Sequence, residues 1–232
     1  MRFLRAGLAL LCLTQPLTAQ NGGRAQPVIR GWEVAALVGV TAGAMLIDQS
    51  VRHALRRDST RLPSILVRAG DLMGNGRYVV PALLAGLVGG VAVSDTAVEQ
   101  VSTRAFETTA VAAGAALILK SAIGRRRPDV APNTAFSFRP FAFKGNSLPS
   151  GHTTIAFAVA TSLASETKDH WSDALFYSLG TLTAFARIND DKHWLSDTVL
   201  GAALGIAAAR LVQRWNRTSP QPAPALSFGF SF

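Results

Sequence analysis

Apolar residues cluster in six stretches of this chain, at about 33–48, 79–94, 105–122, 153–166, 174–188 and 195–213. Each is rich in Ala, Gly, Leu and Val and lacks the strict alternation of a half-buried strand, so the pattern predicts six helices. The more polar interval 52–77 predicts one further short amphipathic helix near 62–72. No internal repeat or low-complexity run interrupts the pattern. The fold class expected is therefore all-α, a six-helix bundle with one extra short amphipathic helix.

The ends of the chain read differently from its middle. Arg2 and Arg5 precede an apolar run at 6–13, and Leu17-Thr18-Ala19 stands before Gln20, the layout of an export signal. The organisation expected is a signal peptide at 1–19, a connector at 20–31, a helical domain at 32–215 and a Pro-rich and Phe-rich tail at 216–232. The single cysteine, Cys12, falls inside the signal segment, so a mature chain without it forms no disulfide. Phe228, Phe230 and Phe232 alternate as in the last strand of an outer-membrane barrel. Nothing else in the chain supplies barrel strands, and a tail that docks on a surface is the reading preferred.

Composition narrows the setting. The chain has 232 residues, is 49% hydrophobic and 16% charged, and carries a net charge of +9. A basic excess of this size suits a phosphorylated substrate or an anionic lipid surface. Nucleic acid is the weakest partner, because aromatic residues are not interleaved with the arginines. The apolar stretches fall at or below the roughly 20 residues that a bilayer span needs. A compact helical domain, exported to the bacterial envelope (periplasm) and associated with a membrane, is the placement expected, with integral spans as the alternative.

Three short motifs change the picture from fold to chemistry. Lys120 is followed by Arg127-Pro128, then come Pro149-Ser150-Gly151-His152, then Arg187 with His193 and Asp197. Singly, each is compatible with an ordinary helix end or cap. Together they assemble three cations, two imidazoles and a carboxylate, which is what phosphoryl transfer requires: neutralised oxygens, a nucleophile and a proton donor. Asp197 lies one helical turn after His193 and can orient its ring, which makes His193 the candidate nucleophile and leaves His152 as the candidate general acid. Lys120, Arg127 and Arg187 can hold the non-bridging oxygens, and Ser150 and Gly151 can offer backbone N–H groups at a helix start. No metal or other cofactor is needed in this scheme, and the acidic residues show no metal-ligand spacing. At one end of an up-and-down bundle, the three motifs meet, and the link 125–149, with Arg126, Arg139 and Lys144, covers the pocket.

The three motifs resemble the signature of the type 2 phosphatidic acid phosphatase superfamily, which also holds bacterial non-specific acid phosphatases and vanadium-dependent haloperoxidases. The resemblance spans about residues 79–213 and departs at one element, Ala186, where the family pattern has Ser before the Arg. It implies a helical bundle of the phosphatidic acid phosphatase/haloperoxidase type and a phosphohistidine at His193. It also implies hydrolysis of a lipid phosphate or another envelope phosphomonoester or pyrophosphate. A vanadate-dependent haloperoxidase and a non-catalytic phospholipid-binding protein are the alternatives. Little chain beyond the bundle argues against the first, and retention of both histidines argues against the second.

Overall fold

The computed structural model describes residues 30–56, 62–141, 146–167 and 169–218. The expected signal peptide, nearly all of the connector, the tail beyond Thr218 and Lys144 lie outside them. Among the described residues the chain forms seven helices and no strand: α1 (Gly31–Leu55), α2 (Ser64–Gly74), α3 (Gly76–Ala92), α4 (Thr96–Ile123), α5 (Gly151–Thr167), α6 (His170–Asn189) and α7 (Leu195–Thr218). The six apolar stretches and the short amphipathic segment each correspond to one of them.

The helices run further than the apolar stretches because polar residues begin and end them. Asp95 accepts hydrogen bonds from the amides of Ala97 and Val98 and starts α4, nine residues before its apolar part. Asp169 accepts from the amide of Ser172 and starts α6. Gly124 stops α4 with φ 63°, a left-handed conformation open to glycine without strain, and its N–H closes on the Lys120 carbonyl.

Helix α5 is the centre of the bundle and packs on α7, α6 and α4. Its buried face is made of small residues: Ala156, Ala158, Ala160, Thr153, Thr154 and Thr161. Ala158 meets Ala112 of α4 and Ala208 of α7, and Phe157 meets Ala202 and Ile206 of α7. Small side chains let backbones come close, so packing contacts rather than bulky apolar burial hold the core. The buried threonine hydroxyls of α5 are all hydrogen-bonded: Thr154 Oγ1 donates to the Ser150 carbonyl at 2.8 Å, Thr153 Oγ1 donates to the Ser150 hydroxyl, and Thr161 accepts from the Tyr177 hydroxyl of α6.

The outer helices reverse the pattern of a water-soluble bundle. Val34, Val38, Leu46 and Ile47 of α1, Val88 and Val91 of α3, and Leu117 and Ile118 of α4 all face outward and exposed. Among the described residues, three helices are long and apolar enough to cross a membrane: α1, α4 and α7 over Leu195–Arg217. In α1 and α4 only 17% and 22% of the apolar window is buried inside the protein. The expectation of segments too short to span is corrected here. It counted only the apolar cores, whereas these three helices reach 25, 28 and 24 residues; α3 and α5, at 17 residues each, stay below that length.

Candidate active site

The three motifs converge at the end of the bundle where α4 stops, α5 starts and α6 turns into α7. Lys120, in the last turn of α4, donates from Nζ to the carbonyls of Asn146 and Ser147 at 3.0 and 3.1 Å. After Gly124 the link folds back on α4. The Arg139 amide bonds to the Gly124 carbonyl, the Phe141 amide to Ser121, and the Asn146 side-chain amide to the Lys120 carbonyl. These bonds satisfy carbonyls that a helix end leaves open and fix the route from Arg127 to Ser150. The Ser150 amide then donates to the Asp197 carbonyl at 2.9 Å, tying the start of α5 to the start of α7. Its N–H is therefore committed within the protein, and of the expected pair only Gly151 keeps its amide for an anion. The Ser150 hydroxyl, fully buried, accepts from Thr153 Oγ1 at 3.0 Å.

A tight turn delivers His193. The amides of Lys192 and His193 both bond to the Arg187 carbonyl, at 3.1 and 3.2 Å. This requires Asp191 to adopt φ 59°, a conformation that aspartate tolerates better than most residues. Arg52 of α1 grips the Asp191 carboxylate with two donors at 2.6 and 2.7 Å, and Arg56 adds a third contact at 3.2 Å. Trp194, 1% exposed, follows; its ring lies under the guanidinium groups of Arg52 and Arg125, and its Nε1 donates to the Arg126 carbonyl. Arg187 and His193 thus stand at the two ends of one tight turn, with the buried indole next to it in the chain.

His193 Nδ1 lies 3.5 Å from Asp197 Oδ2, close enough for an ion pair but without a hydrogen bond, and the ring is 3% exposed. Asp197 itself is held from three sides: Arg125 Nη1 at 2.8 Å, the Trp194 amide at 2.8 Å, and the Ser147 hydroxyl. Arg125, with no exposed surface, continues the network to Asp48 of α1 at 2.7 Å and to the hydroxyl of Ser196 at 2.6 Å. One buried cation between two buried carboxylates is tolerable only with each partner so occupied. Burial pushes His193 down to about 4, with Lys120 and Arg187 adding to the effect and Asp197 opposing it. At neutral pH the ring is uncharged, and Nδ1 rather than Nε2 is the nitrogen that faces Asp197.

His152 stands in the first turn of α5, which is not one of the three long apolar helices. Its Nε2 lies 3.3 Å from Asp71 Oδ1, and the same oxygen is 2.5 Å from Arg187 Nη1. Burial, then Arg187, push His152 down to about 4, against the pull of Asp71. Lys120 and Arg187 bear on both imidazoles, and Arg127 bears on His152, so the two rings share one cationic field. Among the described residues the Nε atoms of Arg127 and Arg187 are buried without a hydrogen-bond partner. Buried donors of this kind are normally satisfied, and two beside a lysine mark a place for an anion. An open cavity of about 400 Å³, lined by Arg187 and Asp190 at the end of α6, by Val67, Arg68, Asp71 and Leu72 of α2, and by Asn75 and Tyr78, lies on the Arg187 side of this group.

All eight residues read from the motifs as site residues therefore lie together: Lys120, Arg127, Ser150, Gly151, His152, Arg187, His193 and Asp197. Sequence reasoning missed Arg125, Asp48, Ser147, Asp71 and the Arg52–Asp191 pair. Asp48 did carry a signal, as a lone carboxylate inside the apolar run of α1, where an unpaired charge is costly. Of Arg126 and Arg139, expected over the pocket, Arg126 Nη2 donates to the Val130 carbonyl within the link, and Arg139 is exposed. Ala186 is fully buried under α2, against Gly70 rather than among the phosphate-facing groups. The missing serine hydroxyl would thus stand beside α2, not in the anion site.

Comparison with known proteins gives this geometry a lineage. The sequence profile of the PAP2 superfamily matches residues 103–221, more than half of the chain. The chain belongs to the PAP2 superfamily. Over 75 residues, 32% of its length, it is 40% identical to the lipid A 1-phosphatase of Porphyromonas gingivalis, and the match spans 17% of that relative. Two solved structures share its fold. LpxE of Aquifex aeolicus has a TM-score of 0.56 at 19% identity, covering 72% of this chain and 95% of that one. A transmembrane PAP2-type phosphatidylglycerolphosphate phosphatase of Bacillus subtilis has a TM-score of 0.52 at 17% identity, covering 93% and 94%. The PAP2 match begins after α1, α2 and α3, and so excludes Asp48, Arg52 and Asp71.

Proposed function

We propose that this PAP2 protein is a membrane-embedded phosphatase of the bacterial envelope, removing a phosphoryl group from a lipid through a phosphohistidine on His193. The observation that carries the reading is the pair of unpartnered buried guanidinium Nε atoms, on Arg127 and Arg187, in the field shared by both imidazoles. Lys120, Arg127 and Arg187 neutralise the non-bridging oxygens. His193 Nε2 bonds to phosphorus while the bond from phosphorus to the leaving oxygen breaks. That oxygen keeps the electron pair and takes a proton from His152. Water then attacks the phosphohistidine, giving its proton to His152, and inorganic phosphate leaves.

A dianion beside His152 opposes what Arg187 and burial do to it, so substrate itself makes the ring basic enough to carry the proton. The lipid leaving group is supported by the apolar faces of α1, α3 and α4, which keep the site at a bilayer, and by the likeness to the lipid A 1-phosphatase. The test is phosphate release by the detergent-purified chain. Substrates are phosphatidic acid, phosphatidylglycerol phosphate, a phosphorylated lipid A, a polyprenyl pyrophosphate and an aryl phosphate. Turnover on at least one lipid, abolished in His193→Ala, is expected. Vanadate-dependent bromination without hydrolysis, or lipid binding without turnover, would overturn the reading.

A further inference from the structure

Each histidine has its own carboxylate, but the two carboxylates come from different places. Asp197 follows His193 on the same segment, within the PAP2 match. Asp71 arrives from α2, which carries none of the three motifs and precedes that match.

The reach of Asp71 depends on how closely α2 docks. A Cβ at Gly70 would lie 2.8 Å from the Leu182 carbonyl oxygen and 2.9 Å from the Ala186 Cβ. A Cβ at Gly74 would collide with the His152 carbonyl and the Thr183 methyl group. These glycines are one turn apart on one helix face, and only the absence of side chains lets α2 lie directly on the backbone that carries His152. The buried hydroxyl of Thr183 locks the contact by donating to the Gly70 carbonyl at 2.8 Å. Asp71, next to this face, is thereby placed against two members of the site. A carboxylate there competes with phosphate for Arg187, so as a simple stabilising ion pair it would work against binding. Its position makes sense if it serves the proton donor.

We propose that Asp71 is the positioning residue of the general acid: it holds the Nε2–H of His152, stabilises the imidazolium, turns Nδ1–H to the leaving oxygen, and releases Arg187 to the incoming phosphate. This rests on the phosphoryl-transfer reading above. As the bond from phosphorus to the leaving oxygen breaks, that oxygen takes the Nδ1 proton, and the neutral ring remains on Asp71. In the second half the attacking water returns a proton to Nδ1. The groups facing His152 are Arg187 from α6, Lys120 from α4, Arg127 from the link and Asp71 from α2. The first three oppose protonation and Asp71 favours it. Asp197 of α7 is turned to Arg125, Ser147 and the Trp194 amide.

The experiment compares full-length wild type, Asp71→Asn and Asp71→Glu in detergent, on an aryl phosphate and a lipid phosphate across pH, with inorganic phosphate as inhibitor. Asp71→Asn is expected to lose about tenfold or more in kcat, to bind inorganic phosphate more tightly because Arg187 is freed, and to move the alkaline limb of kcat to lower pH. Asp71→Glu, which keeps the charge, brings that limb back toward wild type. An unmoved limb in Asp71→Asn, or weaker phosphate binding together with the lost turnover, overturns the proposal. Imidazole NMR of wild type tests it without any variant: with phosphate bound at pH 6, His152 is expected to be protonated, and a neutral ring there overturns it too. Wild type that releases phosphate from no substrate defeats the phosphatase reading itself, whereas an active wild type with an indifferent Asn variant defeats only the role of Asp71.

Discussion

The His193 half of the site and the His152 half use the same pairing, an imidazole against a carboxylate, in opposite surroundings. Around His193 the ring is 3% exposed, Asp197 has no exposed surface, and its oxygens are occupied by Arg125, Ser147 and a backbone amide. Around His152 the ring is 29% exposed and Asp71 34%, and their partner Arg187 is one that a substrate can take over. In the proposed reaction the buried His193 half, whose carboxylate is fully occupied, would supply the nucleophile, since attack on phosphorus tolerates little misplacement. The half proposed to supply the proton donor stands beside the open cavity lined by Asp71 and Arg187, and under the proposal its ion pairs exchange when phosphate binds.

The largest effect that separates the halves is on stability. Arg125→Met leaves Asp48 and Asp197 buried without their shared cation and is expected to lose about 3–5 kcal/mol, read as thermal unfolding in detergent. Asp71→Asn, at a half-buried ion pair whose carboxylate is 34% exposed, is expected to change stability by no more than about 1 kcal/mol. Equal losses would break the comparison. Next, Arg52→Ala leaves the Asp191 carboxylate with only its Arg56 contact and loosens the turn that carries His193. Turnover is expected to fall roughly 100-fold through misplacement alone, with KM nearly unchanged; a change confined to KM would show that the turn serves binding instead.

Lowering the pH is expected to act on both halves. His193 and His152 are held at about 4 in the folded protein, below the ordinary histidine value of about 6.5. The unfolded chain therefore binds more protons between those values. Stability falls as pH is lowered through that window and this contribution levels off beneath about 4. A melting series from pH 7 to 4 on wild type and His193→Gln checks it, the variant showing the shallower fall. The smallest effect on turnover is expected from Ala186→Ser, whose hydroxyl stands under α2 and leaves phosphate affinity unchanged.

Much of this was legible in the sequence, for identifiable reasons. Helices announce themselves through apolar stretches, and the motif residues are close enough along the chain to be read as sets. Helix ends were less visible, since Asp95 starts α4 well before its apolar part and no periodicity marks that. The support of the site was hidden because its partners are remote: Arg125 and Asp48 are 77 residues apart, Arg52 and Asp191 are 139, and Arg187 and Asp71 are 116. Pairing over such distances is decided by how helices pack. For Asp71 it is decided by two glycines, which look like ordinary loop or helix punctuation until α2 is seen lying on α5 and α6.

The central claim is tested most directly by trapping the covalent intermediate. The His152→Ala protein is mixed with an aryl phosphate, whose leaving group needs no proton donor, then quenched in alkali and digested for peptide mass spectrometry. Formation of the intermediate proceeds while its breakdown, deprived of the base, is slow. The account predicts a phosphoryl group accumulating on His193. A phosphoryl group on another residue, or continued phosphate release with none on His193, would contradict it.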